Sequence, residues 1–244
     1  MTMVGVIFKR EFSSFFATPV AYVFIFMFLM LSGVFTFFFG NLFERGQADL
    51  QPFFNFLPWL YLFLVPAMAM KSWAEERKSG SIELLMTLPI TTGQAVVGKF
   101  LASWLVLGLA LLLTFPLWLT VNYLGQPDNG TILAAYLGGW LLAGAFLAVG
   151  HCMSALSKNQ IIAFILTVVV CFAFVLSGTP IVLNALKGFV PSLVLDTVAS
   201  FSFMLHFEAI SKGVLSLTDI VYFVVSMFAW LTACFLIVEY KKAD

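Results

Sequence analysis

The sequence predicts an all-α integral membrane protein. It would have six transmembrane helices, an N-terminal amphipathic interfacial helix, and short re-entrant external helices before the last span. Three observations predict this. Of the 244 residues, 62% are hydrophobic and only 10% are charged, whereas soluble domains carry about 25% charged residues. Apolar runs of roughly 20 residues recur along the chain, the length that crosses a hydrocarbon core of about 30 Å. The basic residues fall mainly on alternate loops, and the acidic ones do not.

Residues 3–17 come first. Val4, Phe8, Phe12, Phe15 and Phe16 recur at helical spacing, with Lys9, Arg10, Ser13 and Ser14 on the other side. That is the pattern of a helix lying in the plane of the membrane interface. The next apolar run is longer than a signal-peptide core and lacks a small-residue cleavage site, so it reads as a retained first span. The six predicted spans are residues 20–40, 53–70, 99–124, 132–155, 161–183 and 219–238. The second contains Pro58 and Pro66 and is expected to kink. Trp59, Trp118, Trp140 and Tyr222 fall near predicted span ends, where amphipathic rings favour the interface.

Between the last two spans, residues 184–218 form the longest external segment. Its apolar piece, about 190–207, is interrupted by Asp196 and His206. We read it as one or two short helices that dip into the outer leaflet and return, shielded by protein. A cytoplasmic N-terminus puts nine of the 12 Lys and Arg residues inside, while the 12 acidic residues divide evenly. An even number of spans then leaves both termini inside.

Composition also excludes whole classes of function. The net charge of zero argues against a nucleic-acid partner, which needs a basic excess. Cys152, Cys171 and Cys234 lack metal-site spacing and read as buried thiols. No Asp or Glu pair lies inside a predicted span, and His151 is the one histidine expected to be buried there. An intramembrane enzyme is therefore disfavoured. A gradient-driven transporter or channel is the alternative, but such proteins use ionisable groups or discontinuous helices within the membrane. Pro58 and Pro66 mark the one expected discontinuity.

The segment 71–98 is the longest cytoplasmic loop and the most polar stretch. Glu75, Glu76, Arg77 and Lys78 form a mixed-charge cluster below the second span. Ser79, Gly80 and Ser81 supply turn and capping chemistry. A brief helix, about 82–87, would present Leu84 and Leu85 with Glu83 near its N-terminus, and Pro89 limits it. Such a helix is too short to persist alone in water, so it needs a partner or the rest of the chain to hold it. Thr91 and Gln94 then have capping-box spacing for the third span. The run Gly93 to Lys99 matches the opening of a phosphate-binding loop, but Phe100 stands where Ser or Thr would hold magnesium and no strand precedes it. Lys99 reads instead as a lysine reaching to the interface.

These residues carry a resemblance. The segment EERKSGSIELLMTLPITTGQAVVGK resembles the loop between the second and third spans of ABC-2 type transporter permeases, with matches at Glu76, Gly80, Glu83, Leu85, Pro89, Gly98 and Lys99. Ser81 replaces the usual Thr and keeps its hydroxyl. The segment from Phe203 to Phe223 is similar to permeases of gliding-motility-associated and copper-maturation-associated systems.

The resemblance implies a non-catalytic permease subunit of an ATP-driven transporter, with an exporter as the family expectation. It would pair with a second permease subunit, as homo- or heterodimer. Separate cytoplasmic ATPase subunits, which carry ATP and Mg, would drive it, so this chain needs no cofactor of its own. The residues implied to contact the ATPase are Glu75, Glu76, Arg77, Lys78, Gly80, Ser81, Glu83, Leu84, Leu85 and Pro89. The expected location is the bacterial inner (cytoplasmic) membrane, with room for an extracytoplasmic accessory protein. In the external segment, Asp196, His206 and Glu208 are expected at the surface or outer leaflet, because His-x-Glu spacing does not share a helix face. Asp219 is expected to help cap the last span.

Overall fold

The computed structural model describes residues 3–80, 90–187 and 190–241. It is all-helical over these residues, apart from an isolated bridge between Lys187 and Val190. The elements are α1 (Met3–Ala17), α2 (Val20–Val34), α3 (Gln51–Ala69), α4 (Lys71–Ser79), α5 (Thr92–Leu112), α6 (Phe115–Leu124), α7 (Asn129–Leu156), α8 (Gln160–Leu176), α9 (Pro180–Leu186), α10 (Ser192–Ser200), α11 (Phe203–Ser211) and α12 (Leu217–Tyr240). A π-helical turn, Phe35–Phe39, extends α2.

Among the described residues, five stretches are long and apolar enough to cross a membrane: Val20–Phe39, Gln51–Ser79, Thr92–Leu124, Asn129–Leu156 and Leu217–Tyr240. The helix α7 is the mast of the bundle. Its most apolar window is 72% buried, against 17% for that of α12, and it packs on α3, α4, α5, α8, α11 and α12. Asp128 starts α7 by accepting from the Gly130 and Thr131 amides at 2.9 and 3.2 Å. Its bonds from the Thr131 hydroxyl and from the two amides hold that carboxyl below its ordinary range.

Several expectations are corrected. The second span runs as one helix through Pro58 and Pro66 and is interrupted at Met70. Residues 71–79 are not a loop, because α4 continues the second span. The third span breaks instead, at Leu113 and Thr114. There Pro116 leaves a missing donor in the first turn of α6, and the Thr114 hydroxyl turns back to the Leu111 carbonyl at 2.7 Å. Trp140 stacks on Trp104 at 4.3 Å, and the Trp104 indole donates to the Trp140 carbonyl at 2.9 Å.

The fifth predicted span, 161–183, also ends early. The hydroxyls of Ser177 and Thr179 bond to the Phe174 and Leu176 carbonyls at 3.0 and 2.8 Å, and Pro180 cannot continue the ladder. The 17 residues of α8 cover about 25 Å, short of a hydrocarbon core of about 30 Å. Where α8 stops, α11 takes over. Phe203 stacks on Phe174 at 4.7 Å. Along α7, Gly150 lies against Thr167 of α8, whereas Gly138 and Gly139 lie against Ile210 and Phe207 of α11. Short helices before the last span were expected from sequence; α10 and α11 meet at 63°.

Candidate coupling site

The helix α4 carries the charged cluster. One turn of helix divides it: Glu75 and Lys78 are exposed, while Glu76 and Arg77 are half-buried and turn inward beside the fully buried Trp73 and Ala74. Gly80 ends the helix at φ 73°, a left-handed conformation that glycine adopts without a Cβ clash. Across the next stretch, the Thr91 hydroxyl accepts from the Gln94 amide at 3.3 Å, and the Gln94 side chain accepts from the Thr91 amide at 3.1 Å. The expected capping box is therefore present at the start of α5.

Lys99, one turn into the buried part of α5, binds this assembly together. Its ammonium donates to Glu76 at 2.7 Å and to Glu11 of α1 at 3.2 Å, and lies 5.3 Å from the Trp73 ring centroid. Only 5% of its side chain is exposed. This overturns the reading of Lys99 as a lysine reaching for the interface: the cation is spent inside the protein on two carboxylates. Burial raises the Glu11 carboxyl, but Lys99 and Arg10 outweigh it and hold the group below its ordinary 4.5. The preceding residue makes the contact possible. A Cβ on Gly98 would meet Ile7 of α1 at 2.8 Å, so glycine there lets α1 lie against α5. Gly98 and Lys99 thus have a structural reason to be adjacent.

Ser154 of α7 forms a second fastening. Its hydroxyl donates to the Met70 carbonyl at 2.9 Å and accepts from the Trp73 and Ala74 amides, each at 3.1 Å. One side chain therefore satisfies the backbone groups opened by the break between α3 and α4. Arg77 donates to the Ala155 carbonyl at 2.8 Å, and Lys241 to the Leu156 carbonyl at 2.6 Å. Two cations thus meet the negative end of α7. Thr92 reaches Glu239 of α12 at 2.5 Å. His151 is fully buried near by, with Nε2 3.4 Å from the Ser72 hydroxyl.

Between α1, α4 and α5 lies a cavity of about 380 Å³, lined in part by Glu11, Lys71, Ser72, Glu75 and Lys99. The chemistry of the whole set is ion pairing and hydrogen bonding, which ties α4 to α5 and α7 directly and to α1 through Lys99.

Ser81, Glu83, Leu84, Leu85 and Pro89 lie outside the described residues. At the far end of the bundle lie Asp196, His206 and Glu208, which were expected at the surface or outer leaflet. Asp196 is exposed on α10. His206 is tied to Asp219 at 2.6 Å, and Glu208 to Lys212 at 2.5 Å. Ser216, not Asp219, caps α12, accepting from the Thr218 amide at 3.2 Å. Sequence reasoning missed Glu11, Ser154 and the His206–Asp219 pair. Glu11 and Lys99 are 88 positions apart, and the one local sign was an acidic residue four places after Ile7, on the face that meets α5.

A protein-family model described as "ABC-2 family transporter protein" matches residues 60–244, more than half of the chain. The match takes in α4 and all of the elements from α5 to α12. A search of curated proteins finds no match.

Proposed function

The chain belongs to the ABC-2 transporter family, and on that premise we propose that it is the permease subunit of an ATP-driven transporter whose ATPase subunits act on residues 75–90. The observation that carries this reading is the fastening of α4. A lever is useful only if it is rigidly joined to what it moves, and α4 meets α5 through Lys99 and α7 through Ser154 and Arg77, with α1 joined to the same Lys99 through Glu11. A partner that seats residues 81–89 and shifts them would therefore move α1, α5 and α7 together, the rigid-body style of transition.

In this reading the end with α1 and α4 is cytoplasmic, in a bacterial inner membrane. ATP and Mg stay on the partner subunits, and a second permease subunit completes the pathway. The exported material would be lipid, amphiphile or polymer rather than small ions, since exposed span surfaces are apolar. Force transmission to an external accessory protein is an equal use of the same lever. The similarity of the segment from Phe203 to Phe223 to gliding-motility-associated and copper-maturation-associated permeases supports a role within that subfamily, and motility does not follow from it.

The buried Lys99 cluster is the observation that favours the alternative, a gradient-driven transporter, because buried ionisable groups carry protons in such proteins. Its position argues otherwise: it lies where the span ends meet α1, not midway along the bundle. Co-purification decides. The chain co-expressed with the ABC ATPases of its own genome should capture one of them, and Glu83→Arg should lower the ATPase activity of the complex. No capture, with unchanged activity in the variant, contradicts the assignment.

A further inference from the structure

The bent pair α10–α11 is joined to α12 by a histidine whose two ring nitrogens both face acceptors. His206 Nδ1 lies 2.6 Å from Asp219 Oδ1, and Nε2 lies 3.0 Å from the Ser200 carbonyl oxygen. A carbonyl oxygen has no hydrogen to give, so Nε2 carries one. A carboxylate has none either, so Nδ1 carries the second, and the ring is then a cation. The one other arrangement puts that second hydrogen on Asp219, as a carboxylic acid donating to a neutral Nδ1. Both hold the same number of protons: one more than a neutral histidine beside a carboxylate.

The surroundings are built to keep this geometry. The imidazole stacks on Tyr222 at 3.9 Å, and the Tyr222 hydroxyl donates to the Phe201 carbonyl at 2.6 Å, in the bend between α10 and α11. His206 and Asp219 side chains are only 16% and 11% exposed. The titratable groups facing the ring are Asp219 and Tyr222, both on α12. From α10 comes the Ser200 carbonyl, and on α11 Glu208 is drawn to Lys212. No side chain of α10 itself is buried, so its register against α12 depends on these few bonds.

We propose that His206, Asp219 and the Ser200 carbonyl form a proton-binding site that latches the bent hairpin to the last span. With the proton bound, both bonds hold. With it lost, a single ring hydrogen remains. Either the Nδ1 lone pair then faces the carboxylate, or the Nε2 lone pair faces the carbonyl, and one attraction becomes a repulsion. The latch is therefore closed on the acid side and opens as pH rises. It does not depend on the coupling role of α4.

The test is a distance measurement on the full chain in lipid nanodiscs, spin-labelled at Leu193→Cys and Leu217→Cys. Both positions are more than three-quarters exposed, whereas the native Cys152, Cys171 and Cys234 are buried. Between about pH 5 and about pH 8, the range in which an imidazole changes charge, the short-distance population should fall at least about twofold along a single-proton curve. In His206→Gln and in Asp219→Asn the distance should no longer respond to pH. A distance that is pH-independent with the native histidine in place overturns the proposal. So does a response that survives His206→Gln.

Discussion

The two ends of this bundle are held together in opposite ways. At the end with α1 and α4, charged and hydroxyl side chains cross-link five helices through a buried lysine, a buried serine and two cations on one helix terminus. At the other end, α9 and α10 bury no described side chain, and α11 is held by packing on α7 and α8, by the Gln51 side chain of α3 donating to the Ser211 carbonyl at 2.8 Å, and by the His206 latch. Rigidity is concentrated where a partner would push. The proposed coupling role, a push at one end and an opening at the other, would use such a division.

The largest expected effect is at the stiff end. Lys99→Met removes the cation that Glu11 and Glu76 share. Breaking a buried pair costs about 3–5 kcal/mol; these carboxylates are 19% and 20% exposed, and partial solvation reduces the loss to about 2–3 kcal/mol. Unfolding of the purified chain in mixed micelles measures it. Lys99→Arg should recover most of the loss, and an equal loss in both variants would mean that volume matters and charge does not.

Ser154→Ala comes next. It strands two backbone amides that have no water to turn to, at about 2 kcal/mol. Hydrogen exchange should rise locally at Trp73 and Ala74, and unchanged protection there contradicts the role given to the hydroxyl.

Acid should loosen the same end. The Glu11 carboxyl sits below its ordinary 4.5 in the folded chain, so its contribution is complete above that value and is lost as pH falls through the lowered one. Proteolytic release of α1 should therefore increase below about pH 4.5, and Glu11→Gln should remove that dependence. The smallest effect belongs to the loose end: Asp196→Asn, on an exposed face of α10, should change stability by less than about 0.5 kcal/mol. A larger change would mean that α10 is anchored through contacts of its own.

Much of this was legible in the sequence. Phenylalanine spacing gave α1 from residue 3 to 17, the Thr91–Gln94 spacing gave the start of α5, and the Asp196 and His206 interruptions gave two short helices before the last span. These signals are local, set by helical periodicity and capping. The misreadings share one cause: they were pairings across the fold. Lys99 looked like a solvated residue because its partners lie on other helices. His206 was weighed against its neighbour Glu208 because Asp219 belongs to a different helix. Residues 71–79 read as loop because they are polar, yet Glu76 and Arg77 are polar for an inward purpose.

If α4 is the lever, force applied at residues 81–89 enters the bundle through Lys99. The decisive measurement is the nucleotide-driven change in distance between spin labels on exposed faces of α1 and α12, recorded in the reconstituted complex with its ATPase. Lys99→Met should continue to hydrolyse ATP while the movement of α1 is lost or strongly reduced, and Lys99→Arg should restore that movement. Full movement of α1 in Lys99→Met would show that the force takes another route.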